Sequence, residues 1–235
     1  MFIISCRLIA FSFLLMTGIL GAVQPAKIFA QEPIFWEDFE QPDPEWQIEN
    51  GVWEIGVPTA GPGSAHEGSA VAGTVLGGNY PYNTDSRLIS PAIDLSTVSG
   101  DERLELRYWQ WFAYNYSGDL GRLQISVWNG SGWDNWVDLS NPAATYSSNW
   151  APVHRDLTAY AGQTVRLCFY HNSDCCGGVN LGWYIDEVEI WQGVPVFNNP
   201  EGFENGWGDW YTDQGVWEIG VPTAGPGRAG PLLAW

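Results

Sequence analysis

The chain has 235 residues, of which 27 are acidic and 9 are basic, so its formal net charge is −18 at pH 7. A field of that sign repels phosphate backbones and anionic lipid surfaces, which disfavours nucleic acid and membrane surfaces as partners and favours divalent cations. Because 45% of the residues are apolar and only 15% are charged, the composition is that of a folded chain. Its 28 glycines, 15 prolines and 15 tryptophans suggest many short strands joined by turns.

The first 30 residues have the pattern of an export signal. An apolar run from Leu8 to Leu20 is followed by Ala30, a possible cleavage point before Gln31. The run is shorter than the ~20 residues that span a bilayer, so an uncleaved anchor is the weaker alternative. We therefore predict a signal peptide over 1–30, a secreted, extracellular or cell-surface protein, and no membrane insertion once the signal is removed.

Beyond the signal, apolar residues recur with a period of two. In 121–128 the side chains of Leu123, Ile125 and Val127 share one face and mostly polar side chains take the other. The segments 102–112 and 164–171 alternate in the same way. Further strands are predicted over 34–40, 52–56, 69–75, 86–93, 133–138, 151–157 and 182–191, with a short helical turn over 158–162. About ten antiparallel strands need two packed sheets or a barrel, and we predict an all-β, two-sheet sandwich over 31–191.

The last predicted strand contains a change of phase. Ile185 has the opposite parity to Val188 and Ile190, so all three reach one core only if an extra residue is inserted near Asp186 and Glu187. This pattern predicts a β-bulge, which turns a carboxylate out of its regular direction.

Three cysteines would remain after export, in an oxidising compartment where disulfides form. The disulfide candidates are Cys168, Cys175 and Cys176, and a bridge from Cys168 to either of the other two would close a tight, hairpin-like loop. The third thiol would stay free or pair with another chain. None has a recognisable catalytic partner.

An internal repeat organises the chain. The twelve residues VWEIGVPTAGPG occur at 52–63 and again at 216–227, and residues upstream match at the same offset. We predict a first module over 31–191, a linker over 192–200 and a truncated start of a second module over 201–235. Because about forty residues cannot bury their own sheet faces, we expect the chain to be part of a longer tandem-repeat protein.

An ordered set of motifs resembles a known group of modules. It comprises Phe39-Glu40, GVWEIGVPTAGP, SRLISPAIDL at 86–95, Tyr160-Ala161-Gly162 and WYIDEV at 183–188. They resemble the MAM-like jelly-roll domains of immune inhibitor A type secreted metallopeptidases and of cleaved adhesins. The resemblance implies a jelly-roll (concanavalin-like) sandwich with a non-catalytic role. It also implies a structural Ca²⁺ ion that ties the first strand to the last, through residues that match Glu40 and Asp186. The alternative is that both acids are solvated surface groups.

Motifs for catalysis are missing from the sequence. After His66 and Glu67 the second histidine of a zinc-peptidase helix is replaced by Ala70, and no G-x-S-x-G sequence occurs. We therefore predict a module that is not itself an enzyme.

Outward-pointing aromatic residues are the candidate ligand site. Trp109, Trp111 and Trp128 lie away from the aliphatic faces of their strands, where a row of rings stacks on sugars or on a partner protein. The alternative is that loops or a neighbouring module cover them. The sequence thus predicts a secreted, calcium-stabilised binding or adhesion module for a glycan or for a cell-surface or extracellular protein. The alternatives are an accessory domain of a secreted metallopeptidase or other hydrolase, and a structural spacer.

Overall fold

The computed structural model describes residues 33–41, 45–98, 103–115 and 118–193, together with positions 202–204, 210, 217 and 219–221. The predicted signal over 1–30, and most of the predicted linker over 192–200 and second module over 201–235, lie outside these residues. The helical turn and strands of the described residues all belong to the predicted first module and its boundary with the linker.

The described residues of this module form twelve strands and one short 3-10 turn. In chain order they are β1 (Phe35–Glu37), β2 (Gln47–Glu49), β3 (Glu54–Gly56), β4 (Val71–Gly73), β5 (Asp85–Ile89), β6 (Ile93–Asp94), β7 (Leu104–Ala113), β8 (Leu120–Val127), β9 (Val137–Asp138), β10 (Ala151–Asp156), the 3-10 turn (Thr158–Tyr160), β11 (Thr164–Asn172) and β12 (Gly182–Gln192). The turn lies inside the predicted helical turn over 158–162. A search of the described residues for a helix with the length and apolar character of a membrane span finds none.

The strands form two six-stranded sheets. Sheet A has the order β10-β7-β12-β4-β3, with β1 also on β12, and sheet B has the order β2-β5-β11-β8-β9, with β6 also on β11. Every strand pair among the described residues is antiparallel. The predicted all-β, two-sheet antiparallel jelly-roll sandwich is therefore confirmed, with twelve strands where about ten were expected.

The core lies between the sheets, where the alternation of each strand places its apolar side chains. Leu106 on β7 and Leu123 on β8 are fully buried. The ring of Phe169 on β11 is 5.2 Å from that of Tyr108, 5.4 Å from that of Trp183 and 6.0 Å from that of Trp46, measured between centroids. Burying a side chain of this size stabilises the fold by about 1.5–3 kcal/mol.

The predicted bulge is confirmed. The pairing of β12 with β7 changes register between Asp186 and Glu189, and Glu187 has a φ of 48°. Ile185, Val188 and Ile190 are all fully buried, as the phase change required.

Two local features differ from the prediction. Strand β2 was not expected, because its three residues are exposed and carry no apolar alternation. The predicted strand over 86–93 is divided into β5 and β6 around Pro91, since proline has no N–H to donate to a strand ladder.

The disulfide joins the neighbouring residues Cys175 and Cys176, and Cys168 is a buried free thiol. The prediction of a bridge from Cys168 to Cys175 or Cys176 is therefore wrong. Strand β11 continues for four residues beyond Cys168, which carries the chain about 13 Å away at 3.3 Å per residue, whereas the Cα atoms of a disulfide lie within about 7 Å.

Candidate functional site

The two predicted calcium ligands converge on one loop. Residues 57–70, which we call the covering loop, connect β3 to β4. Glu40 accepts hydrogen bonds from the N–H groups of Ser69 and Ala70, both at 2.6 Å, and Asp186 accepts from the N–H of His66 at 2.9 Å. Two carboxylates that are far apart in sequence thus hold the same end of this loop.

The environment of the two acids differs. Hydrogen bonds from Ala70 and Ser69 lower the pKa of exposed Glu40. Asp186 is fully buried, and desolvation raises its pKa to about 7 despite the backbone N–H groups that it accepts from. The bulge directs Glu187 to the ring of His66, whose Nδ1 is in hydrogen-bond contact with the carboxylate. The phase change in β12 therefore supplies two carboxylates to the covering loop.

The carboxylates keep some capacity for a cation. Glu40 Oε2 accepts one hydrogen bond, from Ser69 Oγ, and Asp186 Oδ1 accepts one, from the N–H of Glu187, so each oxygen retains a lone pair. Calcium takes six to eight oxygen ligands. Over the described ranges, no group of three or more His, Cys, Asp or Glu side chains is placed to hold a metal. A calcium ion here would draw most of its ligands from backbone carbonyls and water.

The covering loop lies over the outer face of sheet A. The ring of His66 stacks on that of Trp109 at 3.6 Å, and Trp150 donates to the carbonyl of Ser64 at 3.2 Å. At Gly61, whose φ is +66°, a Cβ would lie 2.4 Å from the ring of Tyr184. Loop backbone therefore occupies the space where a ligand would contact this face.

The three predicted ligand-binding tryptophans do not form one row. Trp111 is buried against the edge of Tyr184, with 5.6 Å between ring centroids, and Trp109 is half-buried beneath His66. Trp128 follows β8 in sheet B and is 42% exposed. Trp109 and Trp111 are therefore covered within the chain, as the alternative interpretation expected, whereas Trp128 remains accessible.

The outer face of sheet B carries a second set of aromatic and polar groups, which we call the sheet B face. It is formed by outward side chains of β5, β8 and β11 and by the loop after β8: Arg87, Arg122, Gln124, Trp128, Trp133, Trp136, Arg166, Cys168 and Tyr170. Cross-strand register places Tyr170 between Arg87 and Arg122, and Cys168 between Ile89 and Gln124.

Arginine and aromatic side chains pack together on this face. The guanidinium of Arg166 lies 4.7 Å from the ring centroid of Trp133 and 4.5 Å from that of Trp136. The guanidinium of Arg87 lies 4.4 Å from the ring of Tyr170. Cation–π contacts of this kind hold the planar groups in fixed orientations.

Three polar atoms of the sheet B face are buried and have no hydrogen-bond partner among the described residues: Arg87 Nε, Gln124 Oε1 and Arg166 Nε. Buried polar groups in folded proteins are nearly always paired, with protein or with water. Two donors and one acceptor of this face therefore lack a partner among the described residues, which gives the face capacity for a ligand or for ordered water.

The buried thiol at the centre of this face is not reactive. Burial raises the pKa of Cys168 to about 12, so the nucleophilic thiolate is scarce near neutral pH. The side chain serves as a small apolar floor between its neighbours.

The remaining histidines make internal contacts. His171 is fully buried and lies 3.0 Å from the hydroxyl of Tyr114 and 2.8 Å from that of Thr84. His154 lies 3.3 Å from the carboxylate of buried Glu105. Both contacts join side chains of neighbouring segments.

Of the sheet B face, the sequence indicated tryptophans such as Trp128 but not the polar groups, although a signal for them was present. Arg87, Arg122 and Arg166 all have the outward parity of their strands, in a chain with three acids for every base. Parity alone does not show that three separate strands are neighbours, so the cluster emerges only when the sheet is assembled.

Similarity to known proteins extends over about two thirds of the chain. No family model matches the chain. It is 32% identical over 165 residues to Bacillopeptidase F of Bacillus subtilis (strain 168), a match that takes 66% of this chain and 10% of that protein.

Among solved structures, the CBM22-1 xylan-binding domain of Paenibacillus barcinonensis Xyn10C is 13% identical with a TM-score of 0.46, covering 71% of this chain and 98% of that one. The K3 cleaved adhesin domain of Lys-gingipain from Porphyromonas gingivalis w83 is 19% identical with a TM-score of 0.43, covering 68% and 99%. The chain thus spans about a tenth of the length of the curated relative it matches, and nearly all of these two structural neighbours.

Proposed function

We propose that this chain is a secreted, non-catalytic binding module that holds a carbohydrate chain on the sheet B face. The observation that carries the proposal is the joint presence there of aromatic rings and of three buried polar atoms without partners among the described residues. Sugar rings offer an apolar C–H face for stacking and hydroxyls for hydrogen bonding, so they need both kinds of group.

The two sheet faces differ in the way that this proposal requires. On sheet A His66 of the covering loop stacks on Trp109 and Trp111 is buried against Tyr184, whereas Trp128 at the edge of the sheet B face is 42% exposed. Trp128 contacts Trp133 edge-to-face at 5.4 Å, and Trp133 in turn contacts Arg166. A ligand on Trp128 would therefore lie beside the buried polar atoms.

Affinity electrophoresis and calorimetric titration against a panel of soluble polysaccharides test this proposal. Trp128→Ala and Trp133→Ala should each weaken binding by tenfold or more. Trp36→Ala is the matched control, because Trp36 is 55% exposed on a strand of sheet A and should leave binding unchanged. Binding to no polysaccharide, or equal losses in all three variants, would refute the site.

A second candidate function is that of an accessory domain beside a secreted peptidase. The similarity to Bacillopeptidase F over 66% of this chain favours it. Sequencing the DNA upstream of the codon for Met1 and downstream of the codon for Trp235 separates the candidates. A neighbouring domain with peptidase motifs would support the accessory role, and further repeats or a cell-surface anchor would support adhesion.

We further propose that calcium stabilises the module at Glu40 and Asp186. The support is that both carboxylates hold the covering loop and keep lone pairs. Thermal unfolding with calcium should occur at a higher temperature than with a chelator, and Asp186→Asn should remove the difference. An equal transition temperature in both conditions would exclude the ion.

We also propose that the repeated sequence begins a second module with the same local structure as the first. Phe203 has a φ of 56° and its ring lies 5.6 Å from that of Trp210, whereas the aligned Phe39 has a φ of 59° and lies 5.5 Å from Trp46. A longer chain containing the rest of a second copy should show a second cooperative unfolding transition. A single transition of unchanged enthalpy would argue against the repeat.

A further inference from the structure

We infer that the ligand of the sheet B face is an acidic polysaccharide, whose anionic group is received by Arg166 and Arg87. This inference rests on the proposed function, because it specifies the ligand of the same site. The anion would be the carboxylate of a uronic acid or a sulfate ester, since both present paired oxygens to a guanidinium.

Arg166 is the centre of the argument. Its guanidinium is packed between two tryptophans, and desolvation lowers its pKa. Over the part of the chain that the structure describes, no carboxylate forms an ion pair with it, and its Nε has no acceptor. Glu49 acts on the guanidinium only through its charge, without an ion pair or a hydrogen bond, so the buried Nε is left without an acceptor among the described residues, which is unfavourable. It is unexpected in a chain with 27 acids and 9 bases.

Arg87 is a second arginine whose hydrogen bonds are only partly made. One terminal nitrogen pairs with Asp85 at 3.0 Å, and the Nε is buried without an acceptor among the described residues. The planar guanidinium of arginine binds carboxylate or sulfate through two parallel N–H groups, so a free Nε leaves one edge of the fork available. Tyr170 holds this guanidinium in place through its ring.

The local charge differs from that of the whole chain. Three of the seven arginines that follow the predicted signal lie on the sheet B face, and the acids on the strands of this face are Glu49, Asp85, Asp94 and Asp138. The face thus has four acids to three bases, where the chain has three acids per base. At physiological ionic strength charges farther than about 8 Å are largely screened, so the local balance decides short-range binding.

Aromatic rings select a sugar over an acidic peptide. Trp133 and Trp136 pack on Arg166 and Trp128 contacts Trp133, so we expect stacking and anion pairing to be available to the same ligand. A neutral glycan would offer no anionic acceptor to the Nε atoms of Arg87 and Arg166, and an acidic polypeptide would leave the rings without a sugar face. The combination of ring and anion is that of a uronate or a sulfated sugar.

Titration of the full chain with four probes tests the inference. The probes are polygalacturonate, its methyl ester with the same rings and no charge, dextran sulfate, and poly-L-glutamate with charge and no rings. We expect polygalacturonate or dextran sulfate to bind at least tenfold more tightly than the methyl ester and poly-L-glutamate, and the stronger of the two identifies the anion.

The outcomes separate this inference from the proposed function. Tighter binding of the methyl ester would overturn the acidic ligand while leaving the carbohydrate site intact. Equal binding of poly-L-glutamate would overturn both, since sugar rings would then play no part. The absence of binding to any of the three polysaccharides would overturn the acidic ligand, and titration with neutral polysaccharides would then decide the proposed function.

Variants of the arginines locate the site. Arg166→Gln should weaken binding of the acidic probe by tenfold or more, and Arg166→Lys should recover only part of it because lysine lacks the fork. Arg103→Gln, at the residue before β7 of sheet A, removes the same charge from an exposed side chain and should change affinity less than twofold. Should Arg166→Gln fail to fold, Arg87→Gln takes its place. Wild-type affinity in a folded Arg166→Gln or Arg87→Gln variant would overturn the assignment.

Discussion

Replacing His171 should remove part of the acid sensitivity of this fold. The imidazole is fully buried between the hydroxyls of Tyr114 and Thr84, and the ring of Tyr80 lies 5.0 Å away. Desolvation lowers the pKa of His171 to about 4. The folded chain therefore holds this side chain neutral at a pH where the unfolded chain already protonates it.

The magnitude follows from the difference between the two states. A histidine in an unfolded chain has a pKa of about 6.5, and each unit of difference corresponds to about 1.4 kcal/mol. The shift to about 4 gives about 3 kcal/mol. Because the folded pKa is the lower one, this stability is complete above pH 6.5, is lost as the pH falls from 6.5 to 4, and changes no further below that.

Urea unfolding monitored by tryptophan fluorescence, at intervals from pH 7 to pH 4, measures this effect in wild type and His171→Gln. Asp186 acts in the opposite direction, because its raised pKa adds stability as the pH falls from about 7, so the wild-type curve alone does not isolate the histidine. Subtracting the curve of His171→Gln from that of wild type isolates the contribution of the histidine. The stability deficit of His171→Gln should shrink by about 3 kcal/mol between pH 7 and pH 4.

His171→Asn is the matched control. The shorter amide of asparagine and the longer amide of glutamine each replace a different one of the two hydrogen bonds of the imidazole, and neither amide titrates. The difference between wild type and His171→Asn should therefore have the same pH dependence as that of His171→Gln, even if the two variants differ in stability at pH 7. The reasoning fails if the deficit of either variant is equally large at pH 7 and pH 4.

Three further predictions concern packing and loop contacts. Gly121→Ala should destabilise the fold by about 1–3 kcal/mol in urea unfolding, because its Cβ would lie 2.4 Å from the ring of buried Trp183, whereas Gly132→Ala, which meets nothing within 4 Å, should have little effect; equal effects would contradict the packing. Iodoacetamide at pH 8 should modify Cys168 only after unfolding, as mass spectrometry would show, and rapid labelling of the folded chain would contradict its burial. Glu40→Gln should increase hydrogen exchange at the N–H groups of the covering loop that Glu40 accepts from, and unchanged exchange there would show that the carboxylate does not hold the loop.

The sequence predicted best those features that depend on neighbouring residues. Alternation in β7, β8 and β11 assigned the core faces, and the parity change after Ile185 located the bulge, because both follow from the two-residue period of a strand. The split at Pro91 was missed even though proline disfavours a continuous ladder, since the apolar run on both sides resembled one strand.

Features that depend on distant residues could not be read in this way. Trp109 and Trp111 point outward as predicted, but local parity does not indicate that the covering loop returns over them. The vicinal disulfide was hidden for a related reason: the spacing of Cys168 from Cys175 fits a hairpin, and only the length of β11 shows that the chain moves away.

The two outer faces of the sandwich show where a ligand is expected. On sheet A the carboxylates of Glu40 and Asp186 accept hydrogen bonds from backbone N–H groups of the covering loop, which holds the loop over this face. On the sheet B face the free groups of Arg87, Gln124 and Arg166 have no hydrogen-bond partner among the described residues. Leaving a buried donor or acceptor unpaired costs about 1–3 kcal/mol, so a ligand that pairs all three regains more than the stacking contact alone would give. The binding energy of the module should therefore be concentrated at these polar groups, with the aromatic rings orienting the sugar.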